Sequence, residues 1–241
     1  MSFLAAPAFA GTVKVQVEGR VGHPGTQTLS AGSRLSDAVQ KADVLPDAYP
    51  LGAAWLHMPL RKTQLRWKAG LLYEIGVLRG QARLDGQPAL MTLAARLERH
   101  WRSLPITGRQ RMQLLDPRPL QVSTQNHLLA DGDRIVYPGR PSTVQVLGAV
   151  VHPCTLTFVP MQAARQYRNR CTLAAAADPD WLYIIQPDGH VTRRGIALWN
   201  RHGVQTLAPG AVVYVPLDPR VLPASVRDSL NQDAVRFLST Q

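Results

Sequence analysis

Residues 15–29 read VQVEGRVGHPGTQTL and residues 144–158 read VQVLGAVVHPCTLTF, identical at nine of fifteen aligned positions without a gap. A repeat of this kind confines the chain to two related units, each able to bury its own core within 241 residues. Val13, Val15 and Val17 alternate with polar residues, the period-2 pattern of a half-buried strand. His23-Pro24-Gly25 marks a turn, and Gln27-Thr28-Leu29 resumes an extended segment. A helix is expected next in the first copy, capped by Ser33, with Leu35, Ala38, Val39 and Ala42 on one face. In the second copy the corresponding face is Ala164, Tyr167 and Cys171. Both copies end alike: LADGDRIVYP at 129–138 and LAPGAVVYVP at 207–216 are each a Gly-containing turn that feeds a strand. In the second copy Trp181 to Gln186 reads as a further strand, closed by a Pro187-Asp188-Gly189 turn.

The copies differ in length because the first carries an insertion between Leu60 and Arg111. Leu90, Leu93, Ala94, Leu97, Trp101 and Leu104 recur at helical spacing after Pro88, which suits a first helical position. Leu65, Leu72 and Ile75 begin a less regular helix before it, and Leu84-Asp85-Gly86-Gln87 turns between the two. The chain carries net +11, and this stretch holds eleven Lys and Arg against three acids, a surplus of eight. Such a surplus is either a solvated helix face or a surface for an acidic glycan or partner. At the C-terminus Val226, Leu230, Ala234, Phe237 and Leu238 line one side of a helix expected over 223–240, which packs on its own domains or docks a partner. No apolar run reaches the ~20 residues that span a bilayer.

The segment Val15 to Ala38 resembles the soluble-ligand-binding (SLBB) β-grasp domain of Wza-like polysaccharide export proteins. Two such units, a helical stretch within the first, a terminal helix, and Pro105-Ile106-Thr107-Gly108-Arg109 followed by Leu115-Asp116-Pro117 together resemble the GfcC-type capsule biosynthesis family. The fold class expected is α+β: two tandem β-grasp-like domains, a helical insertion in the first, and a C-terminal amphipathic helix. The expected boundaries are 1–10 for a signal-peptide remnant ending in Ala8-Phe9-Ala10, 11–140 for domain 1 with its insertion at about 60–105, 141–220 for domain 2 and 221–241 for the helix. The resemblance implies an exported periplasmic protein without catalysis or cofactor. Its partners would be a polysaccharide, anionic ones included, or proteins of the export machinery. A hydrolase or lyase acting on an acidic glycan is the competing reading. Nucleic acid is disfavoured, because basic motifs interleaved with aromatics are missing.

The candidate ligand residues cluster at the exit from the insertion. Arg109 follows Gly108, where a loop can hold it over a cleft; Thr107 can donate a hydroxyl hydrogen bond, and Asp116 can orient the guanidinium or simply pair with it. Arg111 adds a second guanidinium, and Trp101 is either a platform for a sugar ring or part of the core. The seven histidines are scattered without metal-ligand spacing, and His23 and His152 are equivalent turn residues. Cys154 and Cys171 are either a disulfide or two free thiols.

Overall fold

A computed structural model describes residues 11–110, 120–203 and 205–241. The presumed signal remnant, Arg111 and the Leu115-Asp116-Pro117 motif lie outside the described residues. The fold is α+β, built on two five-stranded mixed sheets. In the first, β1 (Thr12–Gly19) and β2 (Gly25–Ser30) form the antiparallel hairpin read from the repeat, followed by α1 (Leu35–Ala42), β3 (Ala54–Leu56), β4 (Arg109–Gln110) and β5 (Arg134–Tyr137). In the second, β6 (Thr143–Gly148), β7 (Cys154–Thr157), α4 (Ala164–Asn169), β8 (Trp181–Ile185), β9 (Val191–Gly195) and β10 (Val212–Val215) follow the same course. The strand orders, β2-β1-β5-β3-β4 and β7-β6-β10-β8-β9, match position by position. In each sheet the first and last of the conserved strands, β1 with β5 and β6 with β10, run parallel, and the remaining pairings are antiparallel.

Gly19 and Gly148, the shared glycines of the repeat, end β1 and β6 with φ of 93° and 98°. A Cβ at either would lie 2.1–2.2 Å from the carbonyl oxygen of Tyr137 or Val215 on the parallel neighbour. Glycine at these two positions is therefore a condition of parallel pairing in both copies. The first turn of α1 departs from expectation. The Asp37 carboxylate accepts from Arg34 N–H at 2.7 Å, and the Asn126 side chain accepts from Ser36 N–H at 3.0 Å, so Ser33 does not cap the helix. Cys154 and Cys171 are joined as a disulfide, with Cα atoms 6.1 Å apart.

The insertion is a helical hairpin of α2 (Leu60–Leu84) and α3 (Pro88–Ser103), set between β3 and β4. This is the position that the Pro187-Asp188-Gly189 turn occupies in the second sheet, between β8 and β9. The α3 face expected from the sequence is buried at Leu90, Leu93, Ala94, Leu97 and Trp101. Along α2 the inward face is Gln64, Leu71, Ile75, Leu78 and Ala82, while Leu65 is 57% exposed and does not belong to it.

The insertion lies within the first copy of the chain, between β3 and β4, but its buried face packs elsewhere. The first sheet closes a small core of its own around Val15, Val17, Leu35, Val39, Trp55 and Ile135. The hairpin instead shares one continuous core with the second sheet and the C-terminal helix. Trp101 meets Tyr214 of β10 at 6.4 Å and Phe237 at 6.2 Å between ring centroids. Tyr214 lies between Val213 and Val215, so its side chain leaves the opposite face of the sheet from theirs. The second sheet is thus buried on both faces. The terminal helix, α5 (Leu230–Leu238), packs on α2, and Val226, Leu230, Ala234, Phe237 and Leu238 are all buried. It is shorter than the expected 223–240, because residues 224–229 turn rather than continue a helix. Among the described residues no helix is long and apolar enough to cross a membrane.

Two consequences are measurable. Phe237→Ala should lower unfolding stability by about 3–5 kcal/mol in a urea titration, as for other large aromatics removed from a packed core; a loss under 1 kcal/mol would contradict a shared core. Glu74, on α2, is buried against α5 with its carboxylate accepting from the Ser229 hydroxyl, and burial raises its pKa, with Asp233 adding to the rise. A carboxyl raised in the folded state costs stability once ionised, and that cost grows as pH climbs from its ordinary value through the folded one. Glu74→Gln should therefore raise the melting temperature at pH 7 and lose that gain below about pH 4.5, the ordinary glutamate value. An equal gain at both pH values would exclude charge burial as the cause.

Candidate functional site

The exit from the insertion is a knot of hydrogen bonds. Gly108 has φ of 78°, and a Cβ there would lie 2.7 Å from the His57 carbonyl oxygen, so this root of the hairpin requires glycine. Gln64 of α2 reads the backbone on both sides: its Oε1 accepts from Gly108 N–H at 2.7 Å, and its Nε2 donates to the Arg109 carbonyl at 2.9 Å. The Thr107 hydroxyl donates to the Thr240 carbonyl at 2.7 Å and accepts from Arg109 N–H at 2.9 Å.

Arg109 is buried, at 8% exposure. Its Nη1 donates to the Gln241 carbonyl at 2.6 Å, and its Nη2 donates to the Pro187 carbonyl. Pro187 belongs to the hairpin turn that is the second sheet's counterpart of the insertion. Burial pulls the guanidinium below the ordinary arginine range, and the nearby Asp188 carboxylate opposes that shift. The structure thus brings Thr107 and Arg109 together, but turned into the protein, where they tie the first sheet to the second and to the end of α5. Trp101 is 1% exposed and belongs to the core, so it offers no sugar platform. Arg111 and Asp116 lie outside the described residues.

The basic surplus of the insertion is partly spent internally. Glu98 pairs with Arg79 at 2.5 Å and with Arg102 at 2.6 Å, Lys68 donates to the Arg102 carbonyl at 2.8 Å, and Arg96 donates to the Val150 carbonyl. Lys62, Arg66, Arg83 and Arg99 remain exposed.

Beside Arg109, Gln110 faces a different arrangement that the sequence did not disclose. A cavity of about 430 Å³ is lined by Arg34, Trp55, His57, Gln110, His127 and Leu128. Behind two of these lining residues, Trp55 and His57, is Asp133, fully buried, which accepts from Trp55 Nε1 at 2.9 Å, Met58 N–H at 2.9 Å and Ala130 N–H at 3.0 Å. His57 Nδ1 stands 2.9 Å from the same carboxylate. A carboxylate only accepts, so Nδ1 carries the proton and Nε2 is the free nitrogen. The His127 ring stacks on Trp55 at 5.8 Å. His57 and Asp133 are 76 positions apart, and their meeting depends on β3 pairing with β5. The Asp133 carboxylate, the Trp55 ring 4.5 Å away and an open cavity suit the His57 imidazole to bind a polar group or to accept a proton.

Arg109→Met should lower unfolding stability by about 1–3 kcal/mol, because two partly buried backbone oxygens lose a charged donor. An unchanged urea midpoint, with loss of polymer binding, would make Arg109 a ligand residue instead.

Residues 152–241 match the family model described as capsule biosynthesis GfcC C-terminal. The matched span runs from the second His-Pro turn through β8–β10 to the end of α5, and so covers most of the second sheet and the helix that closes its core. Across almost the whole chain, 95% of it, the protein is 27% identical to an uncharacterized protein of Escherichia coli (strain K12), YjbG, covering 90% of that relative. The resemblance carried by the repeat and the Thr-Gly-Arg motif thus agrees with an independent match to a capsule biosynthesis family model in the second half of the chain.

Proposed function

We propose that this protein is a non-enzymatic, exported periplasmic factor that assists capsule or exopolysaccharide assembly or export by binding the polysaccharide or a protein of the export machinery. The family match over residues 152–241 carries this reading. Two features support it. The strand order of the first sheet repeats in the second, as expected of tandem binding modules. The charge of +11 favours an acidic polymer or partner.

One observation favours a second reading, a hydrolase or lyase acting on an acidic glycan: the His57–Asp133 pair at the cavity orients an imidazole as a general base requires. The readings separate in two measurements. Deleting the gene in its native host should reduce surface polysaccharide, and the purified protein should release no new reducing ends or unsaturated uronate from that polymer. Release that disappears in His57→Ala would establish the enzyme instead. A deletion strain with normal surface polysaccharide would remove the assembly role.

A further inference from the structure

The loop after β9 presents a feature that neither the repeat nor the insertion explains. Leu198 and Trp199 are 87% and 73% exposed. The loop that carries them is firmly tied. Ile196 N–H and the Asn200 side chain both donate to the Asp180 carbonyl, at 2.8 and 3.1 Å. Ala197 N–H donates to the Asn200 side-chain oxygen at 3.0 Å, and Gly195 N–H donates to His202 Nδ1 at 2.8 Å. A Cβ at Gly195 would lie 2.1 Å from the Asn200 carbonyl oxygen, so the close return of the loop depends on that glycine. These bonds fix the backbone and leave the Trp199 side chain outward.

Beneath it stands Trp181 of β8, with its ring at 83° to that of Trp199 and 6.4 Å away. The Arg193 guanidinium covers the Trp181 ring at 3.9 Å. His202 lies 6.1 Å from Trp181, and because its Nδ1 accepts from Gly195, its Nε2 carries the proton and is a donor. Residues 191–203 contain Arg193, Arg194 and Arg201 and no carboxylate. Arg201 is exposed.

We propose that Trp199, Trp181, Arg193 and Arg201 form a binding platform for a carboxylated polysaccharide of the uronate class. Two perpendicular indoles make a corner in which the apolar C–H face of a sugar ring can rest, burying aromatic area at little entropic cost. The guanidinium groups supply the forked donors that a sugar carboxylate takes. The Arg193 guanidinium lies over the Trp181 ring rather than behind a protruding apolar tip, and Arg201 follows Trp199 by two positions on the same exposed loop. That arrangement fits a charged polymer lying across the sheet edge better than a wedge entering a lipid surface. This assignment rests on the polysaccharide role proposed above and names the ligand class and the surface.

The test uses the full chain in native gels containing polygalacturonate, dextran or neither. The wild type should be retarded by polygalacturonate and not by dextran. Trp199→Ala and Arg201→Gln should each weaken that retardation at least fivefold at an unchanged melting temperature, since both side chains are exposed. Wild type that is not retarded, equal retardation by dextran, or variants that bind as the wild type does would each overturn the platform. So would Trp199-dependent binding to phosphatidylglycerol vesicles without polygalacturonate binding. Loss of surface polysaccharide in the deletion strain alongside any of these results leaves the assembly role standing without this site. Normal surface polysaccharide in that strain removes the assembly role even if the gels show binding.

Discussion

The burial of the insertion's apolar stripe against the second sheet is the contact on which the rest of the structure depends. Leu71, Ile75, Leu78, Leu93, Leu97 and Trp101 share one buried core with residues of β10 and α5. Removing water from so many aliphatic and aromatic groups is the dominant favourable term available to a chain of this composition. The polar ties follow from it. Arg109, Thr107 and Gln64 lie where the hairpin leaves the first sheet and the second sheet's turn and terminal helix converge. Their hydrogen bonds fix an orientation that the apolar contacts have already favoured, and buried carbonyls there would otherwise lack donors.

Divergence of the two copies follows the same logic. The returning strand of the first copy reads Arg134-Ile135-Val136-Tyr137, with Arg134 exposed and paired to Glu18 at 2.7 Å. The aligned stretch of the second copy is Val212-Val213-Tyr214-Val215, apolar throughout. A strand that is polar on one side can face solvent, whereas a continuous apolar run implies cover on both sides. Here that cover is the insertion borrowed from the other copy. The aligned positions Asp133 and Ala211 differ in the same spirit. The first organises Trp55 and His57 under a cavity, and the second is buried in the shared core.

Much of the architecture was legible in the sequence because it is local. The β1–β2 hairpin, the face of α1, the α2–α3 turn and the buried face of α3 all follow from short-range period and turn chemistry. The cap of α1 was not, since a glutamine- and asparagine-rich segment 90 residues away supplies the Asn126 acceptor. The C-terminal helix read too long because apolar spacing continues through Val226, although the chain there turns. Of the site residues, Thr107 and Arg109 read from the sequence as ligand contacts, whereas the structure has them bonded to the backbone near residues 187 and 240–241, a direction that local sequence does not encode. His57 with Asp133 is invisible to periodicity because strand pairing joins positions 76 apart, and Trp199 meets Trp181 only through the return of the loop after the β8–β9 hairpin. A tryptophan among arginines at 193–201 was the one local signal for the latter.

The place of the insertion also bears on how the chain reaches this structure. The hairpin of residues 60–103 is complete long before β10 and α5, more than a hundred positions later, exist to cover it. Contacts of such long sequence separation are slow to form and leave apolar surface open meanwhile. The exposed arginines that flank the waiting stripe on α2 and α3 supply like-charge repulsion between chains during that interval, so the basic character of the hairpin serves solubility before it serves any ligand.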